Sequence, residues 1–104
     1  MIVSDLVCVQ SDDFSLADEY QRLSNINSRV GAVVTFCGLV RDFESSAGES
    51  ESTKVVNYLT LQHYPGMTEN LLEDIVTQAK ARWDLVAVTV IHRIGTLAPN
   101  DQIV

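Results

Sequence analysis

Within seven residues, His63-Tyr64-Pro65-Gly66-Met67-Thr68-Glu69 closes a strand and opens a helix. The residues before it, Tyr58-Leu59-Thr60-Leu61-Gln62-His63, alternate as a half-buried strand does. Pro65 cannot continue a ladder, because it has no N–H to donate. Gly66 turns at positive φ without steric cost. Thr68 is expected to cap the helix that follows, with Glu69 in its first turn at the positive end of the helix dipole. Any fold for this chain must therefore place a strand end and a helix start side by side at residues 63–69.

Periodicity fills in the rest. Residues 2–9 read as an edge strand, and Ser15 followed by Asp18 is a capping-box-like start to a helix through about Leu23, with Phe14 as a hydrophobic staple. Ala32 to Val40 is strongly β-prone, with Gly31 before it and Gly38 inside it as a bulge or a point of close backbone approach. Lys54 to His63 is expected to be its antiparallel hairpin partner, across a mobile, Ser- and Glu-rich loop at 42–53. Leu71, Leu72, Ile75, Val76 and Ala79 form one apolar stripe on the second helix, which exposes Glu73, Asp74, Gln78 and Lys80 and ends under Trp83. Leu85 to Ile91 is the next strand, 94–101 a turn-rich connector, and Gln102-Ile103-Val104 a strand beginning. The order β-α-β-β-α-β predicts an α+β fold, a mainly antiparallel sheet with helices on one face, as in ferredoxin-like modules. That layout serves many functions and by itself selects none.

A chain of 104 residues is read as a single domain, 1–104. It lacks both the ~20-residue apolar run of a membrane span and the basic, apolar start of a signal peptide, so a cytoplasmic location is expected. A net charge of −7 with only seven cationic residues excludes nucleic acid as a partner, since no basic stripe exists to neutralise a phosphate backbone. Cys8 and Cys37 stand far apart in apolar runs, and His63 and His92 are not at ligand spacing. The thiols are read as buried and structural, and neither a metal site nor a cofactor is expected.

In so acidic a chain, an anionic ligand must be held by a few focused cations. Arg41 ends an apolar run, so it either presents a planar fork to a phosphate or carboxylate or pairs with Asp42 or Glu44 at the surface. Phe36, on the same run, is core or pocket wall, with core preferred. His92 and Arg93 end a strand as neighbours and so face opposite sides; one can reach a pocket while the other supports it.

Gly31-Ala32-Val33-Val34-Thr35-Phe36-Cys37-Gly38-Leu39-Val40-Arg41, the 63–69 run, and Val88-Thr89-Val90-Ile91-His92-Arg93-Ile94-Gly95 occur in that order. Together they resemble the large, catalytic subunit of molybdopterin synthase, over roughly residues 3 to 104. The resemblance implies the α/β-hammerhead-containing fold of that subunit and a role in molybdenum cofactor biosynthesis. In that family a large-subunit dimer, within a heterotetramer, receives the Gly-Gly thiocarboxylate tails of two ubiquitin-like small subunits. Sulfur passes to cyclic pyranopterin monophosphate and creates the dithiolene of molybdopterin. The carrier tail would lie extended in a groove, bound through its backbone and its terminus. Because the partner brings the sulfur, the large subunit needs oriented cations, acid-base groups and a shaped pocket rather than a nucleophilic cysteine.

By motif position, Leu39, Val40 and Arg41 carry over as substrate-binding residues, with Leu39 standing where a Lys is common. Phe36, His63, His92 and Arg93 carry over as motif matches. The family's catalytic lysines follow a second His-Arg pair in a C-terminal part, and neither Lys54 nor Lys80 occupies their positions, so no catalytic residue is assigned within these residues. The expectation is a fragment, or a shortened homologue lacking full activity, with the apolar strand start at 101–104 favouring the fragment. The alternative is a non-catalytic α+β, ferredoxin-like binding or dimerisation module. Two lysines after a His-Arg pair in the downstream coding sequence would favour the enzyme, and a stop codon the module.

Overall fold

The structure is a computed structural model and describes residues 5–42 and 58–104. The expected 42–53 loop lies outside the described residues from 43 onward, as does Lys54. The described elements are β1 (Leu6–Gln10), α1 (Leu16–Ser24), β2 (Leu59–Leu61), α2 (Met67–Arg82), β3 (Thr89–Arg93) and β4 (Gly95–Leu97). The fold is α+β, as the patterning predicts, but its strand pairing differs from the pairing expected.

β1 pairs with β3 in parallel, in a register running from Leu6 opposite Thr89 to Gln10 opposite Arg93. The ladder is extended by Leu6 N–H to the Val88 carbonyl at 3.0 Å and by Ile94 N–H to the Gln10 carbonyl at 2.9 Å. α1 begins as its cap residue dictates: the Ser15 hydroxyl accepts the Asp18 N–H at 3.2 Å. Its last turn is tied to β3 by a hydrogen bond from the Arg22 guanidinium to the Thr89 hydroxyl, and Arg22 Nε also reaches Glu19 at 3.3 Å.

β2 pairs with β4, antiparallel, with Leu61 opposite Gly95 and the hydroxyls of Thr60 and Thr96 3.1 Å apart. This corrects two expectations. The strand through 58–63 is not bonded to 32–40, and the connector after β3 contains a strand. Gly95, at φ +89°, makes the second possible: it turns the chain sharply between β3 and β4 in a conformation that L side chains rarely adopt.

The 32–40 run is extended but forms no ladder among the described residues until its end. There Leu39 opposes Gln102 in an antiparallel bridge. Val40 N–H donates to the Asp101 carbonyl at 2.9 Å and Ile103 N–H to the Gly38 carbonyl at 2.7 Å, while Gly38 N–H donates to the Val104 carbonyl at 2.9 Å. Ile103 and Val104 together oppose the single residue Gly38, which is a β-bulge. Gly38 is thus the point of close approach its type suggested: a Cβ there would lie 3.2 Å from Val104 Cγ1. Residues 102–104, read as a strand beginning, make an isolated antiparallel bridge and backbone hydrogen bonds with 38–40 rather than a full strand. Among the described residues the buried core is small: Leu97, 1% exposed, with Val40, Val76 and Ile91.

α2 opens two residues earlier than a Thr68 cap would place it and takes a different cap. Met67 and Thr68 N–H both donate to the Tyr64 carbonyl at 3.1 Å, so Gly66, at φ +86°, is the N-cap and Thr68 lies inside the first turn. The helix packs on β1. Only one side of its apolar stripe is covered: Val76 is buried and Leu72 and Ala79 half-buried, whereas Leu71 and Ile75 are exposed. A single neighbouring strand is too narrow to cover a stripe that wide. Trp83 does not cover the helix end; it is exposed, with the Arg82 guanidinium 4.8 Å above its ring. Cys8 and Cys37 are free and half-buried.

Lys80, expected on an exposed face, is an anchor instead. Its Nζ lies 2.7 Å from Asp5 Oδ2, and the Asp5 side chain is 2% exposed. Asp5 Oδ1 accepts the Val88 N–H at 3.0 Å, so one carboxylate joins α2 to the start of β1 and the entry of β3. Replacing Asp5 by Ala leaves an uncompensated ammonium and an unpaired N–H, and should cost roughly 2–4 kcal/mol. Asp5→Asn, which retains the Oδ1 acceptor, should cost less. A denaturant-unfolding double-mutant cycle with Lys80→Met checks this; additive losses would show that the pair does not join the two elements.

Candidate functional site

At the C-terminal end of β3, Arg93 points away from solvent and is 12% exposed at its side chain. Its Nε and Nη2 donate to the Ser11 carbonyl at 3.2 and 3.0 Å, and Nη1 donates to the Gln102 carbonyl at 3.1 Å. Asp13 Oδ1 lies 3.7 Å from Nη1. Gln102 in turn donates through Nε2 to Asp13 Oδ1 at 2.9 Å and to the Phe14 carbonyl at 2.7 Å. The Gln102 amide, the Phe14 N–H and the Arg93 charge together hold the Asp13 carboxyl below the usual carboxylate range. Arg93 is thereby a scaffold residue, its donors spent on the turn before α1 and on the 101–104 strand.

His92 is half-buried, and its Nδ1 lies 2.8 Å from the Arg93 carbonyl. A carbonyl can only accept, so this contact places a proton on Nδ1 and leaves Nε2 as the ring nitrogen not engaged by it. Adjacent strand residues have divided the work as strand geometry requires: Arg93 supports, and His92 presents its second ring nitrogen.

The 36–41 segment reaches the same region through the 101–104 strand. Val40 is 4% exposed and belongs to the core, whereas Leu39 and Arg41 are exposed on either side of it. Arg41 makes no ion pair with Asp42 or any other described residue, in contrast to Arg22, Arg93 and Lys80. Phe36 is 81% exposed, so the preferred core reading is overturned: no strand among the described residues covers it. It lines a cavity of about 290 Å³ with Phe14, Leu16, Tyr20 and Ile91.

His63 sits apart, at the entrance to α2. Its Nε2 is 3.0 Å from Glu69 Oε2, while Glu69 Oε1 accepts the Gly66 N–H at 2.9 Å. Glu69 thus closes one arm of a cap that glycine, lacking a side chain, cannot complete. The structure brings Leu39, Arg41, His92 and Arg93 to one end of β3 through residues 101–104 and leaves His63 in a capping role. Ser11, Asp13 and Gln102 hold that end together, and no local pattern could have named them, since their partners lie 82 to 89 residues away. Among the described residues no three His, Cys, Asp or Glu side chains gather as a metal site, and no helix is long and apolar enough to cross a membrane.

Comparison with known proteins is consistent across sequence and structure. The model of the MoaE protein family matches residues 9–104. This chain belongs to the MoaE family. Relatives named molybdopterin synthase catalytic subunit include one from Yersinia pestis, 45% identical over 104 residues, covering all of this chain and 64% of the relative. Another, from Escherichia coli strain K12, is 50% identical over 98 residues, covering 94% of this chain and 60% of the relative. The solved structure of molybdopterin cofactor biosynthesis protein E from Burkholderia multivorans ATCC 17616 superposes with a TM-score of 0.77 at 43% identity, covering 95% of this chain and 59% of that one. The chain thus spans about three fifths of the length of the MoaE relatives it matches.

The MoaE-family junction at 63–69 carries a pH signature. The Glu69 carboxyl is held low by its own backbone N–H, then by the Gly66 N–H and by His63, with partial burial opposing them. A carboxyl depressed in the folded state contributes stability above its unfolded pKa and loses it as pH falls through the folded one. Thermal unfolding followed from about pH 6 to about pH 3 should therefore show a shallower acid loss for Glu69→Gln than for the unaltered chain, the remaining slope belonging to groups such as Asp13. Equal slopes in the two proteins would remove Glu69 from the account.

Proposed function

We propose that this chain serves molybdenum cofactor biosynthesis as the large-subunit part of a molybdopterin synthase, acting in the cytoplasm as a homodimer within a heterotetramer. In this reading sulfur passes from the thiocarboxylate tail of a ubiquitin-like small subunit to cyclic pyranopterin monophosphate. The observation that carries it is the family match through residue 104, together with Arg41, an exposed guanidinium with no ion-pair partner among the described residues. In an acidic chain whose other cations are largely tied down, such a fork is suited to a phosphate or a terminal carboxylate. His92, whose Nδ1 is engaged by the Arg93 carbonyl, stands at the end of β3 with Nε2 available for a hydrogen bond. A non-catalytic binding module has no comparable observation in its favour.

Arg41→Ala should weaken binding of the cyclic precursor, or of the carrier tail, by roughly 1.5–3 kcal/mol, the value of a charge-assisted bond. Arg41→Lys should recover part of that, because a point charge does not reproduce the planar fork. Isothermal titration with each ligand separates the two, and unchanged affinity for both would refute the anion-binding role.

Chemistry by these 104 residues alone is a stricter test. Lys80 is committed to Asp5, and a missing acid-base group typically costs ~10²–10⁴-fold in rate. Purified chain, supplied with thiocarboxylated small subunit and precursor, is expected to form dithiolene at close to the background rate. Turnover comparable to the Escherichia coli relative would require a catalytic group among residues placed here in the scaffold.

A further inference from the structure

Beyond β4 the chain makes a tight turn. Asp101 N–H donates to the Ala98 carbonyl at 3.0 Å, closing a β-turn over Ala98-Pro99-Asn100-Asp101. Proline holds the first central position at negative φ, and Asn100 stands at φ +77°, the left-handed second position of a type II turn. Among the described residues Asn100 is the only one other than glycine at positive φ. Asparagine tolerates that region better than most side chains, and a β-branched residue is an outlier there. The Asp101 carboxylate is folded back onto the turn, with Oδ2 accepting the Ala98 N–H at 2.8 Å.

The turn clasps one residue of the facing segment. Asn100 N–H donates to the Val40 carbonyl at 2.7 Å, and Val40 N–H donates to the Asp101 carbonyl at 2.9 Å. Asn100 and Asp101 thus oppose the single residue Val40, the first of them left-handed, which is a G1 β-bulge with asparagine in the usual place of glycine. Such a bulge ends pairing and re-aims the chain beside it. Here pairing ends at the buried Val40, and the next residue is the exposed Arg41. The carbonyl that Asn100 holds belongs to the Val40–Arg41 peptide, which is planar through Arg41 Cα. One hydrogen bond therefore orients the plane from which the Arg41 side chain departs.

We infer, on the reading that Arg41 binds the anion, that Asn100 is a positioning residue for it: the left-handed backbone of Asn100, held by Pro99 and the Asp101 carboxylate, sets the direction in which Arg41 leaves the core. A long side chain loses conformational freedom when it binds, and a root fixed in advance lowers that cost. The turn bears on charge as well. The same pair of bonds brings Asp101 beside the root of Arg41, yet its carboxylate is taken by the Ala98 N–H and makes no ion pair with Arg41. Asp101 thus serves Arg41 through the turn and does not compete with the anion for it.

The test reads affinity for cyclic pyranopterin monophosphate and for the carrier tail by isothermal titration, and the order of the Arg41 amide by NMR relaxation. Asn100→Gly is the conservative variant, and with the left-handed turn kept its affinity should stay within about twofold of the unaltered chain. In Asn100→Val affinity should fall roughly 10-fold and the Arg41 amide should become mobile, with α2 amides unchanged. A second pair of variants does not depend on the valine protein folding. Asp101→Ala removes a negative charge, which by field alone would strengthen anion binding, yet it also frees the turn, and binding should weaken by about 3-fold or more. Asp101→Asn removes the same charge but keeps an acceptor for the Ala98 N–H, and should bind at least as tightly as the unaltered chain. In an Arg41→Ala background the Asn100→Val and Asp101→Ala losses should vanish. The positioning role is overturned if Asn100→Val leaves affinity and Arg41 order unchanged, or if Gly and Val weaken binding alike. It is also overturned if both Asp101 variants bind more tightly, or if the losses persist in full without the Arg41 guanidinium. With Arg41→Ala itself weakening binding, any of these results removes Asn100 and leaves Arg41 in its role. Unchanged affinity for both ligands in Arg41→Ala alone is the separate failure, and it overturns both.

Discussion

One guanidinium holds the C-terminal end of β3 in place against the segments on either side of it. Arg93 closes three hydrogen bonds onto main-chain carbonyls, two to Ser11 and one to Gln102, from the last position of β3. Charge-assisted bonds in a half-buried setting are worth more than neutral ones, and a rigid planar donor fixes direction as well as distance. Through that group the turn before α1, the end of β3 and the 101–104 strand form one unit. The bridge from Leu39 to Gln102 then carries the 38–41 segment into the same unit, and Arg41 with it. Without this anchor Arg41 would be attached only to an extended segment that has no ladder among the described residues.

The charge balance of the chain acquires meaning from this arrangement. With a net charge of −7, the field at large repels an anionic ligand, so cations must act at short range. Arg93 and Lys80 are engaged in joining elements, Arg22 ties α1 to β3, and Arg82 lies over Trp83. Arg41 is exposed at the one end of the fold where a half-buried histidine also offers a free nitrogen.

Much of the local structure was legible in the residues. Ser15 caps α1, Gly38 is the point of close approach opposite a bulge, Glu69 stands in the first turn of α2, and His92 and Arg93 divide their roles across a strand. The three motifs that suggested the family were sufficient for it. What failed was pairing. The 32–40 and 58–63 segments each read correctly as extended, yet hydrophobic alternation says only that a strand needs a partner. It does not say which one, and the nearest in sequence was the wrong choice. Phe36 followed the same error: placed in the core by type, it is exposed, with no strand among the described residues covering it.

The division has a physical basis. Sequence by itself determined what depends on neighbours within a turn or two: caps, strand alternation, the φ > 0 freedom of Gly66, and the acidic balance that restricts ligand binding to a few cations. Tertiary structure decided everything that depends on backbone groups far apart in the chain finding each other: the parallel β1–β3 ladder, β4 within an apparent connector, the burial of Lys80 against Asp5, and the meeting of 38–41 with 101–104. Backbone donors and acceptors are the same at every residue, so no local pattern can encode which distant strand they will choose; packing and loop closure make that choice.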